Sequence, residues 1–214
     1  MKKTLFLVGF LLTIQMQAQK YYAAKLLLVD GEIIEGKATL PTNKVLINNI
    51  KIKKDGRKRA SLISSENINQ ILYTLYNGNK YLFERNKIGR TPKAFKKQRI
   101  GSSFKSEWFL VTFSHPLIKA YISAQSYYVN KEKGVMETHS YEGRNIIFGT
   151  SYLLKRPNEE APTLMSLSST TNSKFREWAS LYFKENTALV ARIKNKEFKV
   201  FQIYQLATAY TLYQ

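Results

Sequence analysis

Cysteine is absent from the chain. That excludes disulfides, thiolate nucleophiles and thiolate metal sites, so burial alone must hold the fold. Aspartate occurs only at Asp30 and Asp55, and histidine only at His115 and His139. A catalytic triad needs a base beside a nucleophile and a third group that orients the base, and no GxSxG turn is present to supply the nucleophile. The spacing of the two histidines fits no HExxH zinc motif, and no DxDxDG calcium loop occurs. The ten glycines are scattered and form no phosphate-cradling loop. No metal or cofactor is therefore expected. Glu159 and Glu160 stand together in a polar stretch and read as a solvated pair, not as the flanking carboxylates of a glycosidase.

Long hydrophobic runs are also lacking. The longest apolar stretch, Thr4 to Ile14, follows Lys2 and Lys3 and precedes a polar segment with the small residue Ala18. A membrane-spanning helix needs about 20 apolar residues, roughly twice this run. A positive start, a short apolar centre and a small residue form the secretory-signal layout. The expectation is that residues 1–19 are a signal peptide cut at Ala18–Gln19, and that the protein is periplasmic or secreted. No cysteine follows the run, so a thioether lipid anchor at the cut is excluded.

What the chain has in excess is positive charge. Its formal charge is +19, and the surplus is unevenly spread. Residues 20–106 carry 19 basic and 6 acidic side chains, whereas residues 107–214 carry 13 and 9. Such asymmetry points to an anionic partner for the first part. With 44% hydrophobic and 13% aromatic residues, the chain can still build a packed core.

Hairpin signals recur early. Asp30-Gly31, Asp55-Gly56 and Asn77-Gly78 each sit between short runs rich in β-branched or aromatic residues. Gly36 marks a bulge or bend. Residues 20–84 thus read as a small β-barrel-like domain of five or six strands. Residues 85–106 hold eight basic side chains and no acid, and read as a basic connector. Residues 107–214 read as a second antiparallel β-sheet region followed by C-terminal helices, giving an α+β fold. Strands are expected on both sides of Pro116, with turns at 131–134 and at Gly143, and a loop over 156–172. Phe175, Trp178, Ala179, Tyr182 and Phe183 follow helical spacing, capped by Asn172 or Ser173. Leu189 and Ile193 extend a second helix. Residues 198–213 fit either a helix or a strand.

The order of "DGEIIEGKATL", "KKDGRKR", "SSENINQILY", "YLFER", "WFLVTF" and "REWASLYFKENTALVARIKNKEF" resembles a loosely defined group of uncharacterised exported proteins of Gram-negative bacteria. The resemblance implies an N-terminal barrel of the small SH3- or Sm-like kind and an extracytoplasmic location. It implies no activity.

Two basic clusters remain as candidate binding residues. "KIKKDGRKR" gathers Lys53, Lys54, Arg57 and Lys58 at one hairpin tip, and Lys96 and Lys97 lie in the connector. With Tyr73, Tyr76, Tyr81 and Phe83 close by, they match the composition of single-strand nucleic-acid binders, although aromatics at strand spacing are more often core. Export favours an anionic envelope component or an acidic protein instead, with peripheral membrane contact. The expected function is a noncatalytic envelope binding or scaffolding protein. The alternatives are an extracytoplasmic hydrolase using His139 with Glu137 or Glu142, a nucleic-acid binder if the signal is unused, and an outer-membrane barrel, which the dense lysines and the helical spacing disfavour.

Overall fold

A computed structural model describes residues 20–44, 48–87, 106–139, 141–143 and 146–212, with the side chains of 141–148 left aside. The early hairpins form where the turn residues demand them. β1 (Tyr22–Leu28) and β2 (Ile33–Ala38) are joined through Gly31 at φ +91°, and β3 (Asn49–Lys53) and β4 (Ser61–Ser64) through a turn with Gly56 at φ +76°. A 3-10 turn at Ser65–Asn67 leads into β5 (Ile68–Thr74), and Gly78 at φ +82° turns the chain into β6 (Lys80–Lys87). These left-handed conformations cost glycine little. Gly36 serves otherwise. A Cβ there would lie 2.3 Å from the Lys53 carbonyl oxygen, so its small size lets β2 and β3 approach.

The later strands are β7 (Ser106–His115), β8 (Ile118–Ser123), β9 (Ser126–Asn130), β10 (Val135–His139), β11 (Tyr141–Gly143), β12 (Ile146–Phe148), β13 (Ser151–Lys155) and β14 (Thr163–Leu167). Ten of the strands make one antiparallel sheet in the order β14-β13-β8-β7-β6-β5-β1-β2-β3-β4, with β9–β10 and β11–β12 as separate hairpins. Two expectations are corrected here. The second β region is not a separate sheet, because β6 pairs with β7 from Phe83↔Leu110 to Lys87↔Ser106. Nor do the described strands close a barrel, since β4 and β14 remain the sheet's ends. The physical reason is that β6 has two hydrogen-bonding edges to satisfy, and β7 supplies the second ladder that a barrel would take from within its own strands. β6 also runs three residues past the expected boundary at Glu84.

Pairing parity places both main cores on one face of this sheet. Leu26, Ile50, Ile52, Ile71, Tyr73, Phe83 and Trp108 belong to the first cluster, which the β9–β10 hairpin joins through Tyr127, Val129 and Met136. Leu110 of that cluster pairs with Ile122, whose strand neighbours at two-residue steps, Ala120 and Ile118, belong to the second cluster. The opposite face buries Phe109, Tyr121 and Leu153. The start of the β2–β3 connection docks on the β8–β9 turn, with Thr42 and Asn43 donating to the Gln125 carbonyl. Asn43 accepts from the Trp108 backbone N–H at 2.7 Å, and its own amide donates to the carbonyls of Trp108 and Ala124.

The second core is made with helices α1 (Asn172–Tyr182), α2 (Thr187–Lys194) and α3 (Ile203–Leu212). The apolar faces read from spacing are the ones buried: Phe175, Trp178, Ala179 and Tyr182 on α1, Leu189 and Ile193 on α2. The cap of α1 is Thr171, one residue before the expected pair, its hydroxyl accepting from the Lys174 N–H at 3.3 Å. The ambiguous last segment is a helix, burying Ile203, Leu206, Ala207 and Ala209. The expected loop over 156–172 contains β14. Its Leu164 and Met165 face different clusters, so the strand lacks the apolar–polar alternation that would have marked it.

Candidate functional site

The basic hairpin is built by alternation. Ile50 and Ile52 turn into the core, which leaves Lys51 and Lys53 on the outer face of β3. Lys37 of β2 lies directly opposite Lys53 across the ladder, so two like charges are paired there. Lys53 extends over the Tyr21 ring, with Nζ 4.5 Å from its centroid. Lys54 begins the turn, its carbonyl accepting from the Arg57 N–H at 3.1 Å, and Arg57, Lys58 and Arg59 are exposed. Among the described residues, no ion pair joins Lys37, Lys51, Lys53, Lys54, Arg57 or Lys58 to a carboxylate. Lys96 and Lys97 lie outside the described residues, as do Ala18 and Gln19.

The aromatic side chains expected beside this patch are elsewhere. Tyr73 and Phe83 are fully buried and meet edge to face at 5.6 Å, with the Tyr73 hydroxyl donating to the Thr39 carbonyl at 2.6 Å. Tyr81 packs against the same core. Tyr76 is exposed but donates to the Lys131 carbonyl at 2.7 Å, between the β5–β6 and β9–β10 turns. Of these rings Tyr73 and Phe83 are thus core side chains, closed to stacking with bases.

Each histidine occupies a solvated position. His115 ends β7, where its Nδ1 accepts from the Leu117 N–H in the following turn at 3.3 Å. His139 meets the Tyr128 ring edge to face at 5.6 Å on β10. Its strand neighbour Glu137 is already engaged: it accepts from Tyr128 Oη at 2.5 Å, Asn130 Nδ2 at 3.1 Å and Lys133 Nζ at 3.4 Å. The Tyr128 hydrogen bond leads in holding this carboxyl below its ordinary range, and Glu137 raises the Tyr128 phenol in turn. The Glu142 side chain is not described. Among the described residues, no three His, Asp or Glu side chains converge as a metal site.

Two neighbouring cavities lie on either side of Arg156 and Pro157. The first, of about 470 Å³, is bounded by Glu84, Lys119, Tyr121, Lys155 and the β7–β8 turn. Glu84 is buried there, accepting from Lys119 Nζ and Tyr121 Oη at 2.7 Å each and from Gln70 Nε2 at 3.2 Å. Burial, then Glu84, pushes the Tyr121 phenol far above its ordinary range. The second cavity, of about 670 Å³, lies between Arg156, the start of α2 and Tyr210 of α3.

Sequence reasoning did not single out Glu84, Lys119 or Arg156. The first leaves a trace, an acid directly after a core phenylalanine in "YLFER", where a solvated edge would equally fit. Among the described residues, no helix is long and apolar enough to cross a membrane. Comparison with known protein families, curated proteins and solved structures finds no match.

Proposed function

We propose that the protein is an exported, noncatalytic binding or scaffolding protein of the cell envelope. In this reading residues 1–19 are its signal peptide, and β2–β4 face an anionic surface such as lipid or lipopolysaccharide phosphates. The observation that carries it is the Lys37↔Lys53 pair, with Lys51, Lys54, Arg57 and Lys58 around it and, among the described residues, no carboxylate as counterion. Like charges directly opposed in a ladder destabilise it, and an anionic partner would relieve that repulsion. The strand order β5-β1-β2-β3-β4, with a 3-10 turn before β5, supports an SH3-like arrangement for this half, open where it continues into β6 and β7.

The test is sedimentation of the protein with phosphatidylglycerol vesicles and with neutral phosphatidylcholine vesicles. Salt would be taken from about 0.01 M to about 1 M, over which the screening length falls from ~30 Å to ~3 Å. A cation close to an anionic surface contributes about fivefold to affinity. Changing Lys53, Lys54, Arg57 and Lys58 to Gln should therefore weaken association by up to about three orders of magnitude and flatten its salt dependence. Adding Lys96→Gln and Lys97→Gln extends the test to the connector. Association that is unchanged in the fourfold variant, or insensitive to salt, overturns the reading.

A further inference from the structure

Among the described residues, Arg156 is a cation without a counterion at the wall of a cavity. It follows β13 and precedes Pro157, at the place where the C-terminus of α1 meets the start of α2. Its guanidinium carbon stands 4.3 Å from the Tyr182 ring centroid, 5.5 Å from that of Phe183 and 5.6 Å from that of Tyr210. One Nη donates to the Tyr182 carbonyl, which caps the end of α1. That contact explains one of the five guanidinium N–H groups. The Nε is buried with no hydrogen-bond partner among the described residues. Glu159 lies near but makes no direct ion pair with the cation. Its Oε2 accepts from the Arg156 backbone N–H at 3.0 Å and from Tyr182 Oη at 2.8 Å.

The cavity of about 670 Å³ falls in the size range of small-molecule sites. Its walls carry two kinds of chemistry. Arg156, Asn158 and the start of α2 carry donors, the backbone N–H groups of Thr187 and Ala188 lying in the first turn, where a helix leaves them without intrahelical partners. Half-buried Leu117 and Tyr210 present apolar surface, backed by the fully buried Phe183. Donors that gather around an arginine fork fit a carboxylate or a phosphate. Glu185 also lines the cavity, with its side chain 78% exposed and paired at 3.5 Å with Lys184. A carboxylate at the rim disfavours a doubly charged ligand, which selects the monoanion.

We propose that this cavity binds a small monoanionic carboxylate carrying an apolar body, with the carboxylate on Arg156 and the N-terminal N–H groups of α2, and the body against Leu117 and Tyr210. This site is separate from the basic hairpin and does not rest on it.

The experiment is a calorimetric and NMR titration of the protein with 3-phenylpropionate, its neutral amide 3-phenylpropanamide, and inorganic phosphate. The carboxylate should bind at least about tenfold more tightly than the amide, as expected for a charge-assisted arginine contact. Arg156→Gln should abolish that preference. Because Arg156 also caps α1, two fold-preserving variants accompany it. Thr187→Pro removes a single N–H at the first helical position, where proline is tolerated, and should weaken the carboxylate severalfold. Glu185→Gln removes a repulsive charge and should tighten it, a gain that partial unfolding cannot imitate. Equal binding of carboxylate and amide, no binding of either, or an unaltered preference in Arg156→Gln overturns the proposal. Displacement of the carboxylate by an equal concentration of phosphate overturns the assignment to carboxylates. Vesicle association should be unchanged in Thr187→Pro, so failure here and failure at the hairpin are distinguishable.

Discussion

Replacing Glu84 by alanine tests how the two halves of the sheet are fastened on the face opposite the main cores. Glu84 stands on β6 and accepts from Lys119 and Tyr121 on β8 and Gln70 on β5, so its carboxylate bridges strands on both sides. Removing it leaves the Tyr121 hydroxyl without an acceptor in a residue that is 0% exposed. An orphaned buried hydroxyl costs about 1–3 kcal/mol. The Lys119 side chain is 37% exposed and returns to water, so the lost ion pair adds at most about 1 kcal/mol. The expected destabilisation is about 1–4 kcal/mol. Glu84→Gln keeps an acceptor for Tyr121 and should cost less, about 1–2 kcal/mol. Tyr121→Phe removes the hydroxyl that Glu84→Ala would strand, so the double variant should lose about 1 kcal/mol less than the two singles together. Urea unfolding with unchanged slopes measures all four variants. A loss below about 0.5 kcal/mol for Glu84→Ala, or strict additivity in the double variant, would refute the bridge.

Two further outcomes follow from the same geometry. Gly36→Ala places a Cβ against the Lys53 carbonyl and must part β2 from β3; it should cost about 1–3 kcal/mol in urea unfolding, and a neutral result contradicts the close approach. Tyr73, Tyr121, Tyr127 and Tyr182 are buried, and burial raises each phenol above its ordinary value. The native state then keeps protons that the unfolded chain releases above about pH 10, so this stabilisation is complete below that pH and is lost as pH rises beyond it. Calorimetric midpoints should fall between about pH 9 and about pH 11, and a flat profile would show that these hydroxyls titrate in the native state.

Local chemistry made the first half legible. Asp30-Gly31, Asp55-Gly56 and Asn77-Gly78 specify their turns because only a few residue types accept positive φ, and that demand is met within two residues. The α1 face was legible for a similar reason, since Phe175, Trp178, Ala179 and Tyr182 report one buried stripe along the helix. The continuity of the sheet was not. Whether β6 closes on β4 or pairs with β7 depends on ladders formed between distant segments, and both choices bury Phe83. β14 was missed because the sheet buries it on both faces, which erases the period that marks a half-buried strand.

The charged residues divide along the same line. Lys53, Lys54, Arg57 and Lys58 announce themselves because a hairpin tip is a local structure: neighbours in sequence are neighbours in space, and a count of charges finds them. Arg156 belongs to a chain segment that carries acids as well, Glu159 and Glu160, and a count cancels it. Its character comes from where β13 ends. That point brings it under the last carbonyl of α1 and against the rings of Tyr182 in α1, Tyr210 in α3 and Phe183 just beyond α1. Glu159 is nearby in sequence, yet its carboxylate is spent on a backbone N–H and on Tyr182. Net charge therefore locates the surface that meets solvent or a broad anionic partner, whereas a cation set into a cavity is a product of topology and becomes visible only when the helices are packed on the sheet.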